Sequence, residues 1–593
     1  MTLRKRRNHH RDDVPHDRDA PEKSTKDDDT KVYQPSQKVT SIQHQKSPSQ
    51  SFLVTKFAIL RLVGFVYFIA FYGAYRQNPG LMGSNGLLPA HSHFDRLRSQ
   101  FQNPIRGFLT HPSIFWFILD SSASVEDWHM DAAAIAGMAL SSLVVLGLDS
   151  WLIMSLLWLL DFTIVTLAEG TSFYSYGWES QLLETGFLSI WLCDLPTQRW
   201  RDGNKPHFRG LFMDAEGPSP PSLAVLWLFR WLCARISIGA GLIKLRGGSC
   251  WKNKTCLYYH FETQPIPSPM SFIFHFLPKS VLRRAVDLDF FVQLYSIWLV
   301  FLPGVNEIMT NLRRMGGFIQ AGFMINIIIS GNFAFLNHLT IIPALACLDD
   351  ECYPGWLKTF VRRKHLAFHH NPNENSGKSF LSFRNAVDLV LFALVTSLSV
   401  PVVSNLLQIS GKHQAMNASF HSLRLVNTYG AFGSVGEKRY EAIISVSNDG
   451  RNWTEIEFPC KPGSIQRRPC FCAPYHYRLD WNIWFIGFKP HQSMLQRREN
   501  WLFRLIQKIL TDEEESSRPW MALLDASSVE LLQRTPKFVK VDMYHYEMAG
   551  SLWVMAANWF EGKAPVWWNR RYEEPLIKPV TVDPSGHLAY ANI

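Results

Sequence analysis

The sequence predicts an α-helical multi-pass membrane core followed by a mainly β, sandwich-like C-terminal domain. Apolar runs recur between residues 52 and 410, and several are long enough to cross a bilayer, which takes about 20 residues of helix. Charged residues make up only 19% of the 593 residues, below the roughly 25% usual in soluble domains, and aromatic residues reach 13%. Beyond residue 410 the pattern changes to short alternating segments, which are typical of strands.

Three zones of composition divide the chain. Residues 1–50 are rich in charged and small polar side chains, so this segment cannot bury enough apolar surface to offset the entropy of ordering it. We therefore expect a disordered tail at 1–50, a transmembrane domain with its loops at 51–410, and a mainly β domain with short helices at 411–593. The first apolar run begins near Phe52 and is long, which predicts a retained anchor rather than a cleaved signal peptide.

Eight apolar runs are candidate membrane spans. They cover residues 52–74, 131–148, 151–168, 181–194, 223–244, 287–304, 316–346 and 384–406. Several of them contain ionisable side chains, which are costly in hydrocarbon unless they are paired or hydrated. The intramembrane polar candidates are Glu184, Arg230, Arg235 and Lys244. They indicate either a polar cavity or a set of structural ion pairs and snorkelling side chains, and the sequence leaves both interpretations open.

Alternating segments beyond the last apolar run predict a β-hairpin. Residues 440–446 alternate in part, Asn448-Asp449-Gly450 is typical of a tight turn, and residues 453–458 alternate cleanly. A second β-prone stretch covers residues 538–546, after two segments with a helical pattern at 499–511 and 520–533. This part of the chain is therefore predicted to be mainly β.

Glycosylation sequons and cysteines predict which side of the membrane the C-terminal domain faces. Asn417 and Asn452 begin Asn-X-Ser/Thr sequons, and three cysteines cluster at 460–472, where one disulfide can form. Both features favour a lumenal domain. The basic linker Arg362-Arg363-Lys364 favours the cytosolic side just before the last apolar run, by the positive-inside rule. The sequence thus predicts a cytosolic N terminus and a lumenal C-terminal domain.

That orientation conflicts with the number of candidate spans. It requires an odd number of crossings, whereas eight runs are candidates. Either 181–194, which is short and contains Glu184, does not cross, or 316–346 is broken. If 181–194 does not cross, Asn253, which begins a third sequon, lies in the cytosol and that sequon is unused. Cys250 and Cys256 flank the same polar loop and can form a disulfide only if the loop is lumenal.

The net charge of +10 does not indicate a nucleic-acid-binding protein. The basic residues are spread through loops, with no stripe interleaved with stacking aromatics. Sequence signatures of serine hydrolases, zinc metalloproteases and dinucleotide-binding proteins are absent. Cys347, Cys352, His365 and His369 match zinc-finger spacing, but Cys347 ends an apolar run, which favours a cysteine at the membrane exit. We therefore expect no cofactor, no metal and no nucleic-acid partner.

Several long motifs resemble one known family. They lie at residues 80–90, 176–187, 239–247, 250–251, 259–265, 331–337, 427–433, 467–470 and 474–481, and include Tyr176-Gly177-Trp178-Glu179, Asn427-Thr428-Tyr429-Gly430 and Tyr475-His476-Tyr477-Arg478. In this order they resemble the lipase maturation factor family of endoplasmic reticulum membrane proteins. The resemblance covers roughly residues 52–570.

The resemblance implies a non-catalytic factor that helps secretory lipases, or other secreted proteins, to fold and assemble in the endoplasmic reticulum. It also implies that lumenal regions contact the client. Trp481, Trp484, Trp567 and Trp568 are the candidate client-binding residues. Burial in a core is the alternative for the first two, and an anchor at the membrane interface is the alternative for the last two.

The resemblance also implies a disulfide between Cys460 and Cys470. Cys472 adds a third thiol to that neighbourhood, so the pairing there stays open.

An enzymatic alternative depends on Lys244. The membrane core is also similar to the vitamin K-dependent carboxylase, in which a Lys at a similar place acts as a base. A Lys desolvated in a membrane cavity can have a pKa low enough for base chemistry. The non-catalytic alternative is that Lys244 pairs with Glu184 or reaches the interface.

Overall fold

A computed structural model of the chain describes residues 50–120, 123–169, 171–194, 220–368, 377–409, 411, 413–488, 500–511, 518–550 and 565–591. The predicted disordered tail at 1–50 lies outside the described residues except for Gln50. His369, from the zinc-finger spacing, lies outside them as well.

Helices dominate the chain up to residue 406. Their bounds are α1 Leu53–Met82, α2 His91–Gln100, α3 Pro104–Thr110, α4 Phe115–Ile118, α5 Asp127–Leu146, α6 Trp151–Leu167, α7 Gly177–Ile190, α8 Leu223–Arg246, α9 Ser249–Lys252, α10 Leu257–Thr263, α11 Pro269–His275, α12 Lys279–Phe290, α13 Glu307–Ser330, α14 Leu336–Leu345, α15 Gly355–Phe368 and α16 Gly377–Leu406. A π turn and a 3-10 segment, Phe291–Tyr295 and Ser296–Phe301, continue α12. A further 3-10 turn covers Asp350–Cys352.

Local sequence signals set several of these helix ends. The Ser150 hydroxyl accepts a hydrogen bond from the Ile153 N–H at the start of α6, and the Ser222 hydroxyl does the same for Val225 at the start of α8. Gly147 ends α5 with a φ of 108°, a left-handed conformation that glycine adopts at little cost. The short loop after Gly147 lets α5 and α6 pack as a helical hairpin.

Four helices are long and apolar enough to cross a membrane: α1, α5, α8 and the Arg384–Leu406 part of α16. Shorter apolar helices are α6 and α14. The predicted helical membrane core is therefore confirmed.

One end of this helical core is defined by contacts around the start of α1, and we call it the amino end. The contacts are Asp350 N–H to Ser51 C=O (2.8 Å), Arg61 to Asp149 (2.6 Å) and Lys56 to Asp194 (3.2 Å). They bring the start of α1 together with the α5–α6 loop, the residues after α7 and the residues after α14.

The opposite end of the core meets the C-terminal part of the chain, and we call it the sheet end. The contacts are Gln77 Nε2 to His476 C=O (2.7 Å), Glu179 to Arg478 (2.6 Å), Gly248 N–H to Gly433 C=O (2.8 Å) and Asn332 Nδ2 to Cys470 C=O (2.8 Å). They involve the end of α1, the start of α7, the end of α8 and the turn between α13 and α14.

Successive segments of the core run alternately between the two ends. In the described residues they are α1, α5, α6, α7, α8, α12 with its continuation to Phe301, α13, α14 and α16. These are nine segments. The odd number places the start of α1 and the residues that follow α16 at opposite ends.

The apolar run at 316–346 contains two of these segments. α13 and α14 pack against each other on either side of a turn at 331–335, in which Ala334 has a positive φ of 50°. The eight runs of the sequence thus become nine segments, of which four contain a helix long and apolar enough to cross a membrane. The short run at 181–194 forms the buried helix α7.

A five-stranded antiparallel sheet follows the helical core. The strands are β1 Arg439–Ser447, β2 Thr454–Glu455, β3 Phe538–Met548, β4 Trp568–Val582 and β5 Leu588–Tyr590, in the order β2-β1-β3-β4-β5. The predicted hairpin is β1–β2, with Ser445 opposite Glu455, and the second predicted strand is β3. The mainly β C-terminal region is therefore confirmed.

Helices cover this sheet where a sandwich would place a second sheet. α17 (Arg478–Ile486) packs on β1, and α18 (Asn500–Thr511) packs on β3 and β4, whereas all the described strands belong to one sheet. A 3-10 turn, Pro519–Leu523, packs against α1, and α19 (Ala526–Leu531) follows it. One apolar core runs from α1 into the sheet, so the two parts are joined by packing as well as by hydrogen bonds.

Candidate functional site

A buried ion pair lies where the helical core meets the segment that leads to the sheet. Glu184 of α7 pairs with Arg235 of α8, and each side chain is only 1% exposed. The Arg235 Nη1 donates to the Asn427 carbonyl (2.8 Å). The Asn427 N–H (3.1 Å) and the Tyr429 hydroxyl (2.7 Å) both donate to Glu184 Oε2. The motif at 427–433 is therefore fixed to two core helices by charged groups.

The motif at 474–481 is fixed to the core in a similar way. Arg478 of α17 pairs with Glu179 of α7 at 2.6 Å, and its guanidinium lies 3.5 Å from the centre of the Tyr174 ring. The Arg478 N–H donates to Gln77 Oε1 near the end of α1 (2.9 Å). Arg478 and Glu179 are both buried, so each charge is neutralised by the other away from solvent.

Lys244 lies near the end of α8 and is fully partnered. Its ammonium donates to both carboxylate oxygens of Asp289 (2.7 and 2.8 Å) and to Gln293 Oε1 (3.3 Å). It also lies 4.9 Å from the centre of the Trp251 ring. The ion-pair partner of Lys244 is therefore Asp289. It is not Glu184, which is paired with Arg235.

Arg230 has a structural environment. Its Nε donates to the Ala346 carbonyl (2.9 Å), and its guanidinium lies 5.1 Å from the centre of the Trp227 ring. All four intramembrane polar candidates therefore have partners: Glu184, Arg235 and Lys244 form ion pairs, and Arg230 binds a backbone carbonyl and an aromatic ring.

An open cleft of about 660 Å³ lies between the motif segments at the sheet end. Trp481, Trp484, Phe485 and Phe488 line one wall, and Met324 lies among the lining residues of α13. Apolar atoms dominate the lining. Trp481 is 5% exposed, whereas Phe488 is 37% exposed. The cleft therefore offers apolar rings to a molecule that enters it.

Polar groups are present in the same cleft. Lys244, Gln293 and Asn337 belong to its lining, as do Tyr429 and Gly430 from the 427–433 motif. Segments distant in sequence thus contribute to one cavity. The buried ion pairs described above hold those segments in place.

Trp567 and Trp568 lie away from the cleft. Trp568 is 1% exposed and packs on Tyr546 (6.0 Å between ring centres), and Trp567 is half-buried against Phe272 (5.4 Å). Burial of Trp568 argues against its interpretation as a contact residue or an interfacial anchor. Arg439, whose guanidinium lies 5.6 Å from the Trp568 ring centre, completes this cluster.

The three sequon asparagines are exposed. Asn253 lies after α9, and Asn452 lies in the β1–β2 turn, where its Nδ2 donates to Asp449 Oδ2 (2.7 Å). Asn417 belongs to the lining of the cleft, and its Oδ1 accepts from the Gly430 N–H (3.3 Å). A glycan on Asn417 would therefore lie next to the cleft.

The structure contains two disulfides, Cys250–Cys256 and Cys460–Cys470. Cys472 is a free thiol close to the second one. The Cys460 N–H donates to Asp480 Oδ2 (2.7 Å), and burial raises the pKa of the Asp480 carboxyl to about 6.

Sequence reasoning missed the ion-pair partners Asp289 and Glu179. Asp289 lies 45 positions from Lys244, and nothing in a single sequence joins two such positions. The available signal was the presence of two acids, Asp287 and Asp289, at the start of the apolar run at 287–304. Glu179 lies within a quoted motif, but its partner Arg478 is 299 positions away.

Comparison with known proteins places these features in one family. Residues 54–354 match the model of the lipase maturation factor transmembrane domain, and residues 425–578 match that of the lipase maturation factor C-terminal domain. The chain belongs to the lipase maturation factor family. It is a multi-pass membrane protein, as the four long apolar helices and the matched transmembrane domain indicate.

Named relatives extend the family match over most of the chain. Lipase maturation factor 1 of Bos taurus is 37% identical, with 90% of both chains covered. Lipase maturation factor 1 of Homo sapiens is 36% identical, over 90% of this chain and 89% of the human one. Lipase maturation factor 2 of Rattus norvegicus is 27% identical, over 89% and 83%. None of the solved structures matches this chain.

Proposed function

We propose that this chain is a non-catalytic maturation factor that helps secretory lipases to reach their folded, active form. Family membership carries the proposal, because relatives that align with about nine-tenths of the chain are named lipase maturation factors. The geometry supports a binding role. The motif segments surround an open apolar cleft. The Lys and Arg side chains in its lining have fixed partners, Asp289 for Lys244 and the Leu406 carbonyl and Gln414 for Arg246.

The cleft at the sheet end is the proposed client-binding surface. Folding intermediates expose apolar side chains that are buried later, and such surfaces bind apolar, aromatic-lined clefts. Trp484 and Phe488 are the candidate contact residues, since both are partly exposed in the cleft wall. The Trp481 ring is nearly buried, so it belongs to the packed part of the cleft wall and has little surface with which to contact a client.

A carboxylase-type activity of Lys244 is not supported by its surroundings. A general base needs a free atom directed at its substrate, whereas the three donors of the Lys244 ammonium are all engaged by fixed side chains. Two donate to the carboxylate oxygens of Asp289 and one donates to Gln293 Oε1. A structural role for Lys244 follows from the same contacts.

We place the chain in the endoplasmic reticulum membrane, with a cytosolic N terminus and a lumenal C-terminal domain. The odd number of alternating core segments supports this orientation. Two disulfides and the exposed Asn452 near the sheet support an oxidising, glycosylating compartment on that side. We also divide the chain as the composition predicts, into a tail at 1–50, a membrane domain at 51–410 and a lumenal, mainly β domain with short helices at 411–593.

Co-expression with a secreted dimeric lipase tests the proposal. The host cells lack their own maturation factor, and the measured quantity is lipase activity per mass of lipase in the medium. Wild type and Lys244→Ala are compared, with Lys254→Ala as a matched control, because Lys254 forms an exposed ion pair with Asp287 outside the cleft. We expect the wild-type chain to raise the specific activity of the secreted lipase.

The outcomes separate the hypotheses. A rise with wild type and with Lys244→Ala, at equal protein levels, supports a non-catalytic factor. A rise that is lost in Lys244→Ala but kept in Asp289→Asn, which removes the same ion pair and keeps the amine, supports the enzymatic alternative. No rise with any version contradicts a lipase client.

A further inference from the structure

Three sulfur atoms lie together at the sheet end, next to a second cavity. Cys460 and Cys470 form a disulfide, Cys472 is a free thiol, and the three Sγ atoms all lie within 4.8 Å of one another. All three residues line a cavity of about 580 Å³, which is distinct from the client cleft. Cys470 and Cys472 are partly exposed, whereas Cys460 is buried.

Hydrogen bonds from the helical core hold the loop that carries Cys470 and Cys472. The Asn332 Nδ2 donates to the Cys470 carbonyl (2.8 Å), and the Asn332 Oδ1 accepts from the N–H groups of Cys472 (3.0 Å) and Ala473 (3.2 Å). Asn332 is 2% exposed. A buried side chain therefore fixes the position of the free thiol relative to the disulfide.

A carboxylate lies beside the cluster. The Asp480 Oδ2 accepts from the N–H groups of Cys460 (2.7 Å) and Lys461 (2.9 Å). Its other oxygen, Oδ1, is buried and has no hydrogen-bond partner among the described residues. Asp480 lines the same cavity as the three cysteines, and apart from Asp525 its carboxylate is the one acidic group among the described residues that line this cavity.

We propose that Cys460, Cys470 and Cys472 form a thiol–disulfide exchange site, in which the Cys472 thiol displaces Cys470 from its bond to Cys460. The proton of the Cys472 thiol passes to the Asp480 carboxylate. The new bond joins the sulfurs of Cys472 and Cys460, and the Cys460–Cys470 bond breaks. Cys470 leaves as a thiolate and takes the proton back from Asp480. One disulfide and one thiol are present before and after, so no oxidant or reductant is consumed.

The physical basis is proximity combined with proton transfer. Exchange requires a thiolate to approach a disulfide sulfur, and a fixed neighbour has a large entropic advantage over a thiol from solution. Burial, and next the negative charge of Asp480, raise the pKa of the Cys472 thiol, so the thiol attacks only when a base takes its proton. The burial that raises the pKa of Asp480 to about 6 makes that carboxylate a better proton acceptor than an exposed one.

The site of alkylation in the native protein tests this inference. The full-length protein, in detergent, is treated at neutral pH with N-ethylmaleimide, acidified and digested without reduction. Trypsin cleaves after Arg467, and chymotrypsin cleaves after Phe471, so the peptides separate all three cysteines. If exchange occurs, part of the label is on Cys470, in molecules whose disulfide joins Cys460 and Cys472. Label on Cys472 alone would overturn the proposal.

Two variants test whether the label on Cys470 comes from exchange with Cys472. In Cys472→Ser no exchange is available, so the label on Cys470 is lost and the Cys460–Cys470 disulfide stays. Cys352→Ser removes a free, partly exposed thiol elsewhere and leaves the labelling of Cys470 unchanged. Labelled Cys470 in Cys472→Ser would mean incomplete oxidation and would overturn the exchange reading. The result does not depend on which client the chain serves.

Discussion

The carboxylate of Glu184 and the guanidinium of Arg235 form an ion pair in which each side chain is 1% exposed. The pair joins two core helices, and the same carboxylate accepts hydrogen bonds from Asn427 and Tyr429, 243 and 245 positions further along the chain. One buried pair thus connects the membrane core to the segment that leads into the sheet.

Removal of one partner of that pair is expected to be severe. In Arg235→Met, Glu184 is left charged and buried, which costs about 3–5 kcal/mol of folding free energy. The measurement is denaturant unfolding in detergent micelles. The matched control is Glu184→Gln/Arg235→Met, which buries no lone charge and should be more stable than the single variant. Equal stability of Arg235→Met and wild type would contradict the structural role of the pair.

The cleft wall gives a second prediction. Trp484→Ala and Phe488→Ala remove apolar rings that face the cleft, so we expect less client maturation at unchanged amounts of the factor. Each large side chain in a binding hot spot contributes roughly 2 kcal/mol, which corresponds to about a thirtyfold loss of affinity. The readout is lipase specific activity in the medium. Trp128→Ala, at a 60% exposed position that does not line the cleft, is the control.

Asp480 predicts a pH dependence of stability. Burial raises its folded-state pKa to about 6, above the ordinary value of 3.8, so the folded protein holds a proton on Asp480 more tightly than the unfolded chain does. Its contribution is complete below about pH 3.8 and is lost as the pH rises through about 6. The contribution of Asp480 to the free energy of unfolding is therefore about 3 kcal/mol smaller above pH 6 than below pH 3.8.

Asp480→Asn tests this pH dependence. The amide oxygen still accepts from the N–H groups of Cys460 and Lys461, and the side chain carries no charge at any pH. We expect the variant to be more stable than wild type at pH 7 and equal to it near pH 4, as measured by unfolding in detergent. The same difference at both pH values would contradict the assignment. Asp525→Asn, at a partly exposed carboxylate, is a suitable comparison.

Glycosylation at Asn452 tests the orientation. If the sheet lies in the lumen, Asn452→Gln removes one glycan and increases mobility on a gel, and an endoglycosidase removes the difference between variant and wild type. Asn452 lies in a turn and is exposed, so an oligosaccharyltransferase can reach it. No shift from Asn452 and none from Asn417→Gln would contradict a lumenal domain.

Composition and periodicity predict the architecture because they report local physics. The apolar runs identify the core helices, and the turn at 448–450 identifies the β1–β2 hairpin. The break in the run at 316–346 is not apparent from apolarity, because Gly331 and Asn332 interrupt it only briefly. The turn is stabilised by contacts from distant residues, such as the Gln264 Nε2 that donates to the Ser330 carbonyl (3.3 Å).

The site is less predictable than the fold for a related reason. A charged residue in an apolar run predicts that a partner exists, and it does not identify the partner. Lys244 with Asp289 and Glu179 with Arg478 are both pairs between distant segments. The contact between Trp568 and Arg439 also joins distant segments. In the sequence, Arg570 and Arg571 closely follow Trp568, which favours an exposed position instead.

Site-specific crosslinking tests the central claim, that the client binds in the aromatic cleft, most directly. A photoreactive amino acid is placed at position 488, in the cleft wall, and at position 128 as the matched exposed control, and each full-length chain is co-expressed with a secreted lipase. We expect a lipase crosslink from position 488 that is lost once the lipase is folded and secreted, and none from position 128. A crosslink from position 128 with none from position 488 would contradict it.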